Sequence, residues 1–235
     1  ARDMIDHGVS LGESLDHPSS QTFAYRNAIT AYHIIGDLPL LAQMVERMTA
    51  IADKFNLPPQ QSIATFISGW LETSRGNIVD GLRIMEAEFP GVSRTGPLPP
   101  FYAALLAGVR LQSGQAAAAI EPLDAILPTI REPGVGFFLS EIYRLRGECL
   151  LRMGSSHFDS AITEFETALA TAKRQHARTF ALRAAISLAR AQIEKGLSKE
   201  ATTSLKDIVD GFDGDDVPPE LAAARRLLSA CSPPT

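Results

Sequence analysis

The sequence predicts an all-α protein, a right-handed solenoid of about five helix pairs with a capping helix at its C-terminal end. The first observation is a series of glycines spaced 40, 38, 40 and 42 residues apart. Each glycine closes an apolar stretch of helical spacing, and a second such stretch begins five to seven residues later. This period is typical of repeats that stack one helix pair on the next. No segment shows the alternation of a β-strand. The glycines are Gly36, Gly76, Gly114, Gly154 and Gly196.

The second observation is an apolar triplet at spacings of four and three residues in the second helix of each pair. This spacing places three side chains on the helix face that packs against the first helix. The second triplet contains a glutamate, and Ala87 or Phe89 is expected to take its place. The triplets are Leu41, Val45 and Met48; Gly81, Met85 and Glu88; Ala119, Leu123 and Ile126; Ala161, Phe165 and Ala168; and Ala201, Leu205 and Ile208.

The predicted helices follow in order from these marks. The first is interpreted as the second helix of a repeat whose first half was cut away, and it stops before Pro18. Residues 90–100 are predicted to be a loop and the one place for a bend, and Ser198 is predicted to cap the helix that it begins. The predicted ranges are 1–15, 21–35, 39–55, 60–74, 78–89, 101–113, 115–130, 137–153, 158–175, 179–195 and 198–211, with a capping helix within 218–231.

Composition limits the classes of function. The chain has 235 residues, 45% of them hydrophobic, and the repeat favours one solenoid domain over 1–235. A net charge of -5 argues against a nucleic-acid or anionic-membrane partner, because phosphate contacts need a basic surface. The longest apolar run, 98–109, is too short to span a membrane. Two cysteines distant in the sequence fit reduced thiols, and we expect a cytoplasmic protein.

The titratable residues predict no catalytic, metal or cofactor site. The five histidines are dispersed, and none has the spacing of a metal ligand pair or a nucleophile partner. The acidic run 213–216 lacks the alternating ligands of a calcium loop, and Asp216 is expected to help start the last helix.

Around Gly147 the pattern resembles a tetratricopeptide repeat (TPR) pair. A small residue lies in the middle of the first helix, Gly154 closes it, and Ala161, Phe165 and Ala168 follow on the second helix. Close packing requires small side chains where the two backbones approach and a large one beside them. Gly147 and Phe165 fit these two requirements.

A broader resemblance covers nearly the whole chain. It is carried by residues 141–148, 172–175, 182–190 and 211–213, and upstream by Gly69-Trp70 and 16–18. These segments resemble the C-terminal TPR region of bacterial signalling proteins with a central ATPase of the signal-transduction (STAND) type. In that family the effector is a class III adenylate or guanylate cyclase or a winged-helix transcription regulator. The pattern departs at 191–196, where the family has a tryptophan and more arginine.

No segment matches the cyclase metal-binding aspartates or a phosphate-binding loop. The resemblance therefore implies the regulatory or sensor end of such a protein. Its partner would be a protein, a peptide, its own ATPase or effector domain, or a small-molecule effector. The alternative is a stand-alone adaptor that docks a partner peptide.

Candidate binding residues lie on predicted first helices. One interpretation of the charged set is a solvated stripe, and the other is a surface that presents arginines to an acidic peptide, a phosphate or a neighbouring domain. An aromatic set is interpreted either as core or as an apolar counterpart, with the single tryptophan as an anchor. The charged set is Glu141, Arg144, Glu148 and Arg152, extended by Arg183 and Arg190; the aromatic set is Phe23, Phe66, Trp70 and Phe101.

Overall fold

The structure, a computed structural model, describes residues 2–94, 99–130, 135–212 and 218–231. Within these ranges it is all-α, without strands, as the sequence predicts. The helices described are α1 (Arg2–Ser14), α2 (Pro18–Ile35), α3 (Leu38–Lys54), α4 (Pro58–Ser74), α5 (Ile78–Val92), α6 (Pro99–Gln112), α7 (Ala116–Ile126), α8 (Leu139–Met153), α9 (Phe158–Arg174), α10 (Arg178–Glu194), α11 (Ser198–Asp210) and α12 (Glu220–Cys231).

The chain forms two compact units, Ala1–Val109 and Arg110–Thr235. In the first unit α1 packs on α2, α2 on α3, α3 on α4 and α4 on α5. In the second unit the same holds from α7 to α12, and α10 also packs on α8 and α12. The predicted packing of consecutive helix pairs is confirmed. A single domain over 1–235 stays a prediction.

All five glycines of the series have a left-handed backbone. Their φ angles are 79° at Gly36, 98° at Gly76, 79° at Gly114, 126° at Gly154 and 85° at Gly196. Side chains with a Cβ are strained in this region, whereas glycine enters it freely. The turn also satisfies carbonyls that the helix end leaves unpaired. For example, the N–H of Asp37 donates to the Tyr32 carbonyl at 2.9 Å, and the N–H of Leu197 donates to that of Gln192 at 2.8 Å.

A second left-handed series closes second helices, and the sequence analysis missed it. Asp16, Asn56 and His176 have φ of 46°, 50° and 52°, and they lie at multiples of 40 residues from one another. Aspartate, asparagine and histidine tolerate this conformation better than most residues. The N–H of Leu57 then donates to the Ala52 carbonyl at 2.9 Å, as in the glycine turns. Both kinds of joint therefore use this turn geometry, except at Gly154, where the 3-10 helix Ser155–His157 follows instead.

Close packing of helix pairs is most evident at Gly147. A Cβ at this position would lie 2.5 Å from Cε1 of Phe165, whose side chain is fully buried. Gly69 and Gly81 approach similarly, since a Cβ on Gly81 would lie 2.4 Å from the Gly69 carbonyl oxygen. The predicted roles of Gly147 and Phe165 agree with this geometry.

Several predicted boundaries were wrong where proline is involved. The loop predicted from residue 90 begins later, because α5 continues through Pro90 to Val92. α2 and α4 begin at Pro18 and Pro58, since a proline at the first helical position lacks only an N–H that the helix would leave unpaired. α7 ends at Ile126 and continues as the 3-10 helix Leu127–Thr129.

Three smaller predictions have a clear outcome. Of the two residues expected to replace Glu88 in its triplet, Phe89 does so. Phe89 is half-buried, and its ring centroid lies 6.3 Å from that of Phe66, whereas Ala87 is exposed. Ser198 does not cap α11; it is the first helical residue, and Leu197 precedes it without a side-chain hydrogen bond. The prediction for Asp216 lies outside the described residues.

Two tyrosine–carboxylate hydrogen bonds join α1 to α2. The Tyr25 hydroxyl donates to Oε1 of Glu13 at 2.9 Å, and the Tyr32 hydroxyl donates to Oδ1 of Asp6 at 2.6 Å. The tyrosines are seven residues apart on α2 and the acids seven apart on α1, in opposite order. Burial and then the hydrogen bond to the carboxylate raise the pKa of each tyrosine to about 12.

We predict that Gly147→Ala lowers the free energy of unfolding by about 1–3 kcal/mol, because the added methyl overpacks the Phe165 ring. Urea unfolding measures this change. Gly108→Ala is the control, since a Cβ there meets nothing within 4 Å, and it should stabilise by about 0.5–1 kcal/mol. Adding Phe165→Leu to Gly147→Ala should cost less than the two separate losses. Equal effects of the two alanines would contradict the proposed contact.

We also predict a loss of stability in alkali that depends on Tyr25 and Tyr32. An unfolded tyrosine loses its proton near pH 10, whereas these two hold theirs to about pH 12. Their contribution is therefore complete below pH 10 and is lost as the pH rises from 10 to 12. Unfolding followed by circular dichroism at several pH values should show a smaller alkaline loss for Tyr25→Phe with Tyr32→Phe. A slope identical to that of the unchanged protein would contradict this origin.

Candidate partner-binding surface

The charged set on α8 forms a compact network. Nε and Nη2 of Arg144 donate to the two carboxylate oxygens of Glu141, at 2.9 and 2.6 Å. Nη1 of Arg144 lies 3.5 Å from Oε1 of Glu148, which accepts a 2.7 Å hydrogen bond from the Ser187 hydroxyl on α10. The network thus joins neighbouring first helices.

Arg144 remains charged although it is largely buried. Only 18% of its side chain is exposed, and 10% of that of Glu141. Burial acts to lower the pKa of Arg144, but the charge of Glu141 and its hydrogen bonds outweigh this and raise the pKa above its usual value. A two-pronged contact between guanidinium and carboxylate is the strongest geometry for such a pair. A fully solvated stripe therefore does not describe Arg144.

The other arginines of the predicted set divide into paired and exposed side chains. Nε of Arg183 donates to Oε1 of Glu220 at 2.6 Å, which ties α10 to α12. Arg152 is exposed, and its Nη1 lies 3.4 Å from the Leu111 carbonyl oxygen. Arg190 is exposed and forms no ion pair with another described residue. A partner could therefore approach this set most directly at Arg152 and Arg190.

The aromatic set also divides. Phe66 and Phe101 are buried, and Phe66 packs edge-on against Tyr102 with ring centroids 5.6 Å apart. Trp70 is half-buried, and 58% of Phe23 is exposed. The structure therefore places two of the four rings in the core and leaves two accessible.

His33 connects the aromatic residues of three first helices. Its ring centroid lies 4.8 Å from that of Trp70 on α4 and 5.4 Å from that of Phe101 on α6, each contact edge-on at 72°. In the sequence, His33 is one of five dispersed histidines. No local pattern could have identified it, because its neighbours are distant in the sequence.

Arg26 and Tyr102 are a further pair that the sequence analysis missed. Within the described ranges, Nε of Arg26 and the hydroxyl of Tyr102 are buried atoms with no hydrogen-bond partner. Burial raises the pKa of Tyr102 well above its ordinary value, while the charge of Arg26 opposes this shift. The guanidinium of Arg26 lies 5.1 Å above the ring of Phe23. We call Phe23, Arg26, His33, Trp70 and Tyr102 the aromatic–arginine patch.

One signal could have identified Arg26. Counted back from the glycine that closes each first helix, Arg26, Phe66 and Arg144 occupy the same position, ten residues earlier. Phe66 and Arg144 are predicted candidates at that position, whereas Arg26 is not among the predicted residues.

The cysteine and the acidic residues offer no sign of a reactive or metal site in the part of the chain that is described. No three potential ligands cluster there. Burial, together with the charge of Glu148, raises the pKa of the Cys149 thiol to about 12, so the reactive thiolate is scarce. Among the described helices none is long and apolar enough to cross a membrane.

Comparison with solved structures identifies a similar arrangement of helices. A crystal structure of yeast Tom70, a TPR protein, superimposes with a TM-score of 0.58 over 93% of this chain. The fold is TPR-like. Sequence identity is 16%, and the chain spans 41% of the Tom70 chain, so the likeness concerns the fold alone. No protein-family model and no curated protein matches the sequence.

We predict that Arg144→Ala lowers the free energy of unfolding by about 3–5 kcal/mol, because it removes the guanidinium that pairs with the largely buried Glu141 carboxylate. Chemical unfolding measures the loss. Arg190→Ala is the matched control and should change stability by less than about 0.5 kcal/mol, since the side chain is exposed. Glu141→Gln added to Arg144→Ala should recover part of the loss. Equal losses for the two alanine variants would rule out a structural network.

Proposed function

We propose that this chain is a non-catalytic TPR-like regulatory region that binds a protein or peptide through its first helices. TPR-like folds typically mediate protein–protein contacts. The wider setting that we propose is a cytoplasmic signalling protein with an ATPase and a cyclase or transcription-regulator effector. That setting rests on the sequence resemblance described above. A stand-alone adaptor is the alternative.

The observation that supports binding is the pair of unmatched donors in the aromatic–arginine patch. A buried polar group without a partner costs about 1–3 kcal/mol, so folded proteins rarely retain two near each other. Both groups are donors, and no carboxylate among the described residues accepts from them. An acidic group from a partner would supply an acceptor to the half-buried Arg26 guanidinium, and one bridging water would extend the contact to the buried Tyr102 hydroxyl.

The surroundings define what such a partner would carry. The ring of Phe23 supports the guanidinium of Arg26 by a cation–π contact, and this limits the loss of side-chain freedom on binding. Trp70 and His33 provide an aromatic surface beside it. We therefore propose a peptide with a carboxylate next to an apolar side chain.

We predict that acidic peptides with one leucine or phenylalanine change the fluorescence of Trp70, the only tryptophan of the chain. Arg26→Gln should weaken the best peptide about tenfold, or about 1.4 kcal/mol, and salt should weaken it further. Tyr102→Phe should also weaken binding while leaving stability equal or higher, because it removes an unmatched hydroxyl. Arg83→Gln on α5, which is exposed, is the control for net charge and should have no effect.

Two results would contradict the binding proposal. One is that no acidic peptide binds saturably, or that lysine-rich peptides bind as well as acidic ones. The other is binding that Arg26→Gln leaves unchanged. The wider setting is tested separately: a reading frame that continues upstream into an ATPase supports it, and a start codon near Ala1 supports the adaptor.

A further inference from the structure

The second unit contains a cavity where the joint between α9 and α10 meets the end of α11. Its volume is about 330 Å³, at the lower end of the range for cavities that hold small ligands. The lining is mostly apolar, and its charged residues are two cations and one acid. We call it the α9–α11 cavity. Its lining includes Lys173, Ala177, Arg178, Asp207, Ile208 and Phe212.

The sequence of the joint explains why space remains there. His176 has the left-handed backbone that Asn56 has at the joint between α3 and α4. The next residue is Leu57 in that joint and Ala177 in this one. Their backbone angles are similar, with φ -106° and ψ 83° at Leu57 and φ -90° and ψ 77° at Ala177. Ala177 therefore has the backbone of a leucine position but a much smaller side chain, which leaves room beside it.

Positive charge is concentrated around this joint. Residues 167–193 include five lysines and arginines and no acid, although the whole chain has a net charge of -5. Two of these cations, Lys173 and Arg178, line the cavity, and Arg178 has the position that Pro58 has in α4. Asp207 on α11 is the acid of the lining. Because the cations outnumber the acid, the charge of the cavity favours an anion.

Arg178 is held at the edge of the cavity. Its guanidinium lies 4.6 Å above the ring of Phe212, and its Nη2 donates to the Gly211 carbonyl oxygen. Among the described residues, no carboxylate pairs with Arg178 or with Lys173. The two contacts fix the direction of the guanidinium and leave its other N–H groups for a ligand. Since the side chain is already ordered, binding an anion costs little further side-chain entropy.

The lining indicates the chemistry of a ligand. A phosphate or a carboxylate suits Arg178, because the planar guanidinium binds the oxygens of such groups in pairs. Lys173 adds a second positive charge. The wall that Ile208 and Phe212 form suits an aromatic ring, whereas a second charged group would lose its hydration there without a partner.

We propose that the α9–α11 cavity binds a small aromatic anion, a ring that carries a phosphate or a carboxylate group. Arg178 and Lys173 bind the anionic group, and the ring lies against Ile208 and Phe212. The ligand contacts α9, α10 and α11 at once, so it stabilises the packing of two consecutive helix pairs. This site does not rest on the proposed peptide binding, whose residues belong to the first unit.

The test is titration of the isotope-labelled chain with phenyl phosphate and with benzoate, followed by nuclear magnetic resonance. We expect saturable shifts of the amide signals of residues 172–181 and 207–212, with a dissociation constant of about 1 mM for the tighter ligand, as its small size implies. Phenol, a ring without the charge, and inorganic phosphate, a charge without the ring, should each bind at least about tenfold more weakly. The tighter of the two anions identifies the group as phosphate or carboxylate.

Four variants separate the contributions of the ring and the anion. Arg178→Gln should raise the dissociation constant about tenfold, because it removes the guanidinium. Ala177→Leu, which places the residue of the α3–α4 joint here, should fill the cavity and abolish binding while circular dichroism shows a folded chain. Asp207→Asn should strengthen binding, because it removes the opposing charge. Lys206→Gln is the matched control, since this exposed lysine is outside the lining, and it should change the constant less than about twofold.

Three results overturn the proposal. One is the absence of saturable shifts at the cavity with either anion. Another is phenol or inorganic phosphate binding as tightly as phenyl phosphate. The third is a loss of affinity for Arg178→Gln no larger than that for Lys206→Gln, and this comparison holds even if Ala177→Leu unfolds, because both side chains are exposed. Peptide binding, followed by Trp70 fluorescence, succeeds or fails separately.

Discussion

The left-handed glycine that closes each first helix is the constraint on which the rest of this structure depends. Helices of 15 to 18 residues can pack along their whole length only if the chain reverses within two or three residues. A left-handed residue achieves this and also satisfies a carbonyl of the preceding helix. The turn recurs at Gly36, Gly76, Gly114 and Gly196 with φ between 79° and 98°, so the helices around these turns return in nearly the same register. Positions counted from the turn then have nearly the same surroundings in each pair, which is why burial in one pair can be compared with burial in another.

The part of the fold governed by this constraint was predictable from the sequence, and the rest was not. Glycine is nearly required at a left-handed helix end, so Gly36 to Gly196 stand out as a periodic signal. Aspartate, asparagine and histidine favour this conformation less strongly than glycine does. Asp16, Asn56 and His176 therefore do not stand out in the sequence, because residues of these types occur throughout the chain. Pro90 was misleading because proline disfavours a helix without always ending it, and α5 continues past Pro90 to Val92.

For the candidate site, spacing identified which residues share a face but not what lies opposite that face. The spacing of Glu141, Arg144 and Glu148 predicts that they are neighbours on one helix, and they are. Their burial depends on Ser187 and on α12, which are distant in the sequence and leave no local pattern. The same limitation hid Arg26 and Tyr102, since only the assembled first unit brings α2 and α6 together. Non-local packing therefore decides whether a charged residue is structural or available to a partner.

A single repeat position illustrates how this division arises. Ten residues before the closing glycine, Arg144 is matched by an acid three residues earlier on its own helix, and Phe66 fills the core. Arg26 occupies the same place with Phe23 where Arg144 has Glu141, so its guanidinium has an aromatic face beside it but no carboxylate. The five closing glycines define this location five times, and Ala104 and Ile186 occupy the other two. The residue three positions earlier determines whether an arginine there stabilises the stack or remains to receive an acidic partner.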